Sequence, residues 1–326
     1  CGIFNEFYEE KFGESIADVG VYNGESVLFT GQGKHRNFNW GTAFVNSIGI
    51  SYYGCEERGN ATLTWRLVCG EKTLVSGREE FSVPAPGSVV ELCKINVDLP
   101  PCSEACCATL YAEFETAGTK IGNHWKYWLF PVPEDTVCGN IRILGELSCD
   151  DVKFMANGGC VLLTGNFPAK SMPERFAPHT SGRSIGHSGV LINHHPVTDG
   201  FPHSGFADWQ FYPLMTNSMS LISDETTPEY APVVELIPSF KLIKHKSFLS
   251  EFRVGSGRLI ICGLRLDIDD PAAKWLRFLI VRYLGSGTFV PAPEWECDAL
   301  TASLSQQQKT VLTGKKIDEG GRPVDQ

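Results

Sequence analysis

Nowhere in its 326 residues does this sequence hold a run of roughly 18 uninterrupted apolar residues, the length a membrane helix needs, so no membrane contact is expected. A basic excess is missing as well. The formal net charge is −10, from 28 Lys and Arg against 38 Asp and Glu. A polyphosphate partner requires a basic face, so nucleic acid is not expected either. Cysteine is more plentiful at 12 residues, but this stays below the roughly 8–10% that marks a disulfide scaffold. Cys69 follows Leu67-Val68, Cys160 opens onto Val161-Leu162-Leu163, and Cys262 closes Ile260-Ile261. Cysteines in such runs behave as small core hydrophobes, which points to reduced thiols and a cytoplasmic protein. Only Cys102, Cys106 and Cys107 cluster tightly. Zinc would need a second matching pair, so no metal and no cofactor is expected. The first residue is Cys rather than Met, which suggests a processed chain or a piece of a longer one. A secreted or lipid-anchored protein held through Cys1 is the alternative to the cytoplasm.

Composition leaves room for two cores: hydrophobic residues make up 42% and charged residues 20%, ordinary for a globular chain longer than one typical domain. Residues 1–16 carry Phe4, Phe7, Tyr8 and Phe12 among acids at helical spacing and read as a lead-in helix or the remnant of a preceding domain. From 17 to 133 the pattern is all-β. Short runs at 27–29, 40–45, 48–53, 61–67, 89–92, 108–114 and 124–130 are broken by turn signals such as Arg58-Gly59-Asn60 and Pro84-Ala85-Pro86-Gly87. Leu63, Trp65 and Leu67 alternate with Thr62, Thr64 and Arg66, one face for a core and one for water. About seven such strands in succession predict an immunoglobulin-like β-sandwich.

Pro131-Val132-Pro133-Glu134-Asp135 suits neither a helix nor a central strand and reads as a linker. Beyond it, Ile141–Leu144, the amphipathic Cys149–Met155, the stop Gly158-Gly159 and the apolar Cys160–Leu163 spell strand, helix, strand. Such a βαβ unit places two parallel strands side by side. Phe252-Arg253-Val254, Gly255-Ser256-Gly257 and Leu259–Cys262 read as a hairpin. Asp270-Pro271 is an N-cap followed by a first-turn proline, and opens a helix through Trp275 and Ile280. Together these predict a flavodoxin-like α/β domain over 134–290, similar to class I glutamine amidotransferases. Residues 291–326 turn polar and read as a tail.

An amidotransferase places its nucleophile on the tight turn after a buried strand. Here that turn is Thr164-Gly165-Asn166-Phe167-Pro168, without Cys or Ser, and Cys160 lies too early. His194-His195 offers at most one base, because adjacent extended residues face opposite ways. No catalytic residue is assigned. His194, His195, His203 and Asp208 form the densest polar cluster, and His203, Asp208, Trp209 and Tyr212 are the candidate sugar or partner contacts. A loop merely pinned over the sheet by its aromatics is the competing reading.

Several of these pieces, from about 17 to 290, resemble the region after the catalytic barrel in glycoside hydrolase family 2 (β-galactosidase-like) proteins. They are Thr62–Leu67, Leu74-Val75-Ser76-Gly77, Asn123-His124-Trp125-Lys126-Tyr127-Trp128-Leu129-Phe130-Pro131, Asp208–Tyr212 and Phe252–Leu264. Asn5-Glu6 resembles that family's acid/base pair, but a barrel strand cannot stand at position 5 with no barrel around it. The resemblance implies a non-catalytic accessory region that supports or completes a carbohydrate-active site or an oligomer. Its partners would be a carbohydrate or the catalytic barrel of the parent protein, with a homo-oligomer also compatible. No activity is expected of this chain alone, since glycosidic hydrolysis needs two facing carboxylates. Asp98, Glu113, Glu235, Asp267 and Asp269 form no such pair in sequence. One alternative is a free-standing carbohydrate-binding module displaying Trp40, Trp125, Trp128 or Trp209. A cysteine-type amidotransferase-like hydrolase is a second.

Overall fold

The computed structural model describes residues 24–54, 59–118, 120–134, 139–176, 187–238, 243–289, 291 and 293–307. The expected lead-in helix at 1–16 and the chain beyond 307 lie outside them. The chain divides into two compact units, 1–131 and 132–326.

In the first unit, β1 (Val27–Thr30), β3 (Ala43–Tyr52) and β6 (Ser88–Asp98) form an antiparallel sheet in the order β1-β3-β6. A five-stranded sheet joins β2 (Asn37–Asn39), β8 (Lys120–Phe130), β7 (Cys106–Glu115), β4 (Asn60–Cys69) and β5 (Lys72–Ser82), in that order. Only the β2–β8 pair is parallel. Alternate residues of both sheets meet in one core that includes Phe44, Ile48, Ile50, Leu63, Trp65, Leu67, Leu110, Phe114 and Trp125. This is a β-rich sandwich. The runs at 40–45 and 48–53 prove to be parts of one strand, irregular in register at Ile48/Gly49. A Cβ at Gly49 would overlap the Phe29 ring, so glycine is what lets β1 lie across β3 there.

Polar groups inside the sandwich are satisfied across it. The Tyr127 hydroxyl lies 2.8 Å from Thr30 Oγ1 and accepts from Asn46 Nδ2 at 2.7 Å. Asn123 Nδ2 donates to the Leu28 carbonyl at 2.7 Å. Buried polar groups are costly unless paired, so these contacts favour one alignment of the two sheets. Cys69 and Cys106 are joined as a disulfide between β4 and β7, which corrects the expectation of reduced thiols for that pair.

The second unit holds an eight-stranded sheet. Its main path runs β11 (Ser171–Glu174), β13 (Ser218–Ile222), β15 (Lys246–Val254), β16 (Gly257–Cys262), β10 (Cys160–Leu163) and β9 (Ile141–Leu144). Off that path, β14 (Val234–Pro238) pairs with β15, and β12 (His187–Ile192) pairs with β14. The expected βαβ unit is present: β9 and β10 are parallel and joined by α1 (Cys149–Ala156). Ser148 and Asp151 form a capping box at its start, satisfying two otherwise orphaned donors. The expected hairpin is present too. Val254 pairs with Gly257 across a two-residue turn, with Gly255 at φ 58°, a conformation glycine adopts without steric cost.

A flavodoxin-like domain is not evident. Among the described residues only β9, β10 and β16 run parallel, while β11, β12, β13, β14 and β15 pair antiparallel. The reason lies in the hairpin. A flavodoxin-like sheet reaches its next parallel strand through a crossover, whereas here a two-residue turn sends the chain straight back.

Helices cover both faces of the central strands. Val161 and Leu163 pack with Val152 and Met155 of α1 and with Leu300 of α4 (Cys297–Gln307). On the other face Cys160 Sγ meets the Leu284 carbonyl of α3 (Pro271–Leu284) at 3.7 Å. The N-cap of α3 is Asp270, whose Oδ1 accepts from Ala272 N at 2.9 Å, with Pro271 in the first turn. The stretch expected as a polar tail is structured to residue 307. Trp295 is buried against Phe252, ring centroids 5.1 Å apart, and its amide donates to the Arg253 carbonyl at 2.8 Å. Two apolar side chains, Trp295 and Leu300, anchor a segment whose average composition is polar.

Candidate functional site

Asp208 stands before a single 3-10 turn, Trp209–Phe211, which runs into the short α2 (Tyr212–Met215). Its Oδ1 accepts from the Trp209 amide at 2.7 Å, and its carbonyl accepts from the Phe211 amide at 2.9 Å. The carboxylate is therefore engaged as a cap. Trp209 stacks on Phe176, with centroids 5.2 Å apart and planes 30° from parallel. Tyr212 meets the Phe176 ring edge-on at 5.5 Å. These three half-buried aromatics form one cluster.

His203 sits earlier in the same loop. Its Nδ1 accepts from the Gly205 amide at 3.1 Å, which leaves Nε2 to carry the proton of the neutral ring. Burial pushes its pKa below the ordinary value; Asp199 opposes the shift and His194 adds to it. Around it the loop is pinned from several sides. Gln210 Nε2 donates to the Pro202 carbonyl at 3.0 Å, Trp275 Nε1 to the Gly200 carbonyl at 2.8 Å, and Phe201 packs on Phe211. Asp208, Trp209 and Tyr212 thus come together through one turn, with His203 held in the loop that leads into it.

The turn at 164–168 is occupied by structural contacts. The Thr164 amide donates to the Leu144 carbonyl at 2.9 Å and the Asn166 amide to the Gly145 carbonyl at 2.6 Å. A Cβ at Gly165 would overlap the backbone of Gly145. Amides that would stabilise an oxyanion in an acyl-transfer enzyme here continue the pairing of β9 with β10. Cys160 is buried, and burial raises the Cys262 thiol to about 12. Buried, high-pKa thiols are inert. Alkylation of the native protein without reductant should therefore label the exposed Cys102, Cys107 and Cys149 and spare Cys160, Cys262 and the Cys69–Cys106 pair. Peptide mass mapping reads this out, and rapid stoichiometric labelling of Cys160 would show a reactive site.

Four of the five carboxylates singled out from the sequence are engaged by basic side chains. Glu113 meets Lys120 at 2.9 Å, Glu235 meets His245 at 3.5 Å, Asp267 meets Arg265 at 2.7 Å, and Asp269 meets Lys274. Among the described residues, no group of three or more His, Cys, Asp or Glu side chains could hold a metal ion.

Sequence reasoning missed one polar cluster. His195 Nδ1 accepts from the Val197 amide at 3.2 Å, and its Nε2 lies 3.2 Å from Glu251 Oε1. Tyr283 donates to Glu251 Oε2 at 2.8 Å. Burial, reinforced by the Glu251 carboxylate, pushes the Tyr283 phenol well above its usual range. Among the described residues no Ser, Thr or Cys side chain hydrogen-bonds the His195 ring, so the cluster ties a loop to β15 and α3. A glutamate inside the apolar run Phe248–Phe252 was the available signal.

Residues 143–305 match a family model described as Domain of unknown function (DUF8487), a match that spans half of the chain. The chain belongs to this family. The DUF8487 segment carries the loop, the 164–168 turn and the Glu251 cluster. Residues 42–131, within the sandwich, match a second model, Domain of unknown function (DUF8488). No curated protein matches the chain.

Among solved structures, the Parabacteroides merdae β-glucuronidase overlaps at 13% identity and TM-score 0.22, over 39% of this chain and 20% of that one. A putative β-galactosidase from Bacteroides fragilis overlaps at 10% identity and TM-score 0.23, over 43% of this chain and 24% of that one. The chain thus spans about a fifth to a quarter of the glycosidases it matches. The Bacillus subtilis sporulation control protein Spo0M overlaps at 8% identity and TM-score 0.19, over 66% of this chain and 78% of that one. Overlaps this slight carry no functional argument.

Proposed function

We propose that the chain is a non-catalytic accessory region of a glycoside hydrolase family 2-like protein, acting by supporting a carbohydrate-active barrel or its oligomer. The observation that carries this reading over a free-standing sugar-binding module is the burial of the sandwich tryptophans. Trp40, Trp125 and Trp128 are 6%, 8% and 2% exposed, so they are core residues without a stacking face. The turn at 164–168, which carries no nucleophile, weighs against an amidotransferase-like hydrolase. The Cys69–Cys106 disulfide favours an oxidising compartment and hence an exported parent protein.

Contact of the 203–212 loop with sugar is a second reading, favoured by the half-buried Trp209 and Tyr212. A pyranose would stack on one of these rings while His203 or Asp208 hydrogen-bonds its hydroxyls. The test is a chromogenic glycoside assay on this chain, together with titration of galactosides and glucosides against the wild type and Trp209→Ala. No turnover is expected. Turnover abolished by a single carboxylate substitution would overturn the accessory reading. Binding unchanged in Trp209→Ala would remove the loop from the site.

A further inference from the structure

The outward face of the five-stranded sheet carries a feature that the family resemblance does not use. In the ladder, Ser76 pairs with Arg66, Arg66 with Tyr111, and Tyr111 with His124. Paired residues project on the same side of a sheet, so these four form one row across β5, β4, β7 and β8. In the row, the Arg66 guanidinium lies 5.1 Å from the centre of the Tyr111 ring, and Tyr111 stacks with His124 at 5.8 Å. Glu113 and Gly122 pair with each other two residues further along β7 and β8. All of these residues line a groove of about 800 Å³, within the range of small-ligand sites.

Three observations say what fits there. Among the described residues Arg66 has no carboxylate partner, although the chain carries a formal charge of −10, whereas Glu113 is neutralised by Lys120 at 2.9 Å. Stacking on Tyr111 holds the guanidinium pre-oriented, and its fork fits a planar carboxylate. Gly122 is the second observation. A Cβ there would meet only the Ala112 carbonyl, at 3.8 Å, so packing does not demand glycine. Glycine inside a strand is unfavourable and often marks a bulge, a bend or close approach of a ligand or another backbone; the β7–β8 register is unbroken at Gly122, which favours close approach. Third, the groove is a sheet face whose backbone groups are paired within the ladder. A peptide strand would add at an edge, whereas a polyhydroxyl ligand can be read by Ser76, His124 and Glu113 side chains. One unpaired Arg suits isolated carboxylates and not a polyphosphate.

We propose that this face binds a glycan chain bearing uronic acid residues, with Arg66 taking a carboxylate and the bare backbone at Gly122 forming the floor. The site is separate from the 203–212 loop and stands if that loop binds nothing; it deepens the carbohydrate part of the proposed function. The test is calorimetric titration of the whole chain with an oligogalacturonide, a neutral galacto-oligosaccharide and an oligoglutamate peptide. Two variants accompany the wild type: Arg66→Gln, and Gly122→Val, which fills the floor where space is open. The oligogalacturonide should bind at least about tenfold more tightly than either control; Arg66→Gln should weaken it by about tenfold or more, the scale of one charge-assisted hydrogen bond, and Gly122→Val should weaken it by filling the floor. Gly122→Val should retain the wild-type Tm or exceed it, so lost binding is not lost folding. Equal binding by wild type and both variants, an oligoglutamate bound as tightly, or no uronide binding at all would each overturn the proposal. None of these outcomes bears on whether the chain buttresses a barrel.

Discussion

Replacing Glu174 by Gln should destabilise the second unit by about 3–5 kcal/mol, the cost of stranding one member of a buried ion pair. Lys246 Nζ lies 2.6 Å from Glu174 Oε1, and the two side chains are 0% and 3% exposed. Ser220 donates to the same carboxylate oxygen at 2.8 Å, and Met172 Sδ lies 3.8 Å from the ammonium. The ammonium is thus enclosed between β11, β13 and β15. Without the carboxylate the buried ammonium is left with no counter-charge. Replacing both residues by Met should recover most of the loss, since a buried pair contributes little net stability against well-packed apolar residues. Urea unfolding followed by tryptophan fluorescence measures both. A Glu174→Gln variant within about 1 kcal/mol of the wild type would show that the pair is not the enclosed contact described.

The second large effect is expected at Gly263. A Cβ there would overlap the Met219 carbonyl oxygen and approach the Phe167 ring at 3.2 Å. The obstacle is backbone held on both sides: the Gly263 amide donates to the Phe248 carbonyl at 2.7 Å, and its carbonyl accepts from the Met219 amide at 3.0 Å. No rotamer change relieves the overlap, so Gly263→Ala should cost at least about 3 kcal/mol, the upper end for overpacking. The same unfolding assay reads it. Its counterpart is Gly122, where the space is open and substitution should be tolerated. Near-native stability of Gly263→Ala would mean that β13 can shift away from the end of β16.

Short-range signals were legible in the sequence. Asp270-Pro271, the stop at Gly158, the turn at Gly255 and the period-two strands of the sandwich each depend on neighbours a few residues away. Their chemistry can be recognised without knowing the fold. Strand direction could not be recognised in this way. Given one βαβ unit, the sequence suggested a parallel flavodoxin-like sheet, but which strand lies beside β16 depends on contacts across the whole unit. The apparent polar tail misled for a related reason, since composition averages over a window while Trp295 and Leu300 bind individually.

The site residues divide along the same line. Asp208, singled out as a candidate contact, proves to cap its own turn, a local role. Trp209 against Phe176, Glu251 against His195 and Tyr283, and Arg66 beside Tyr111 and His124 were assembled only by folding. The sequence by itself determined where α1 and α3 begin, where the hairpin turn falls and which residues of several strands face a core, because caps, φ preferences and side-chain alternation act within a few residues. Tertiary structure alone decided which strands pair, which tryptophans are hidden and which polar groups meet. Those outcomes depend on burial and desolvation across elements far apart in the chain.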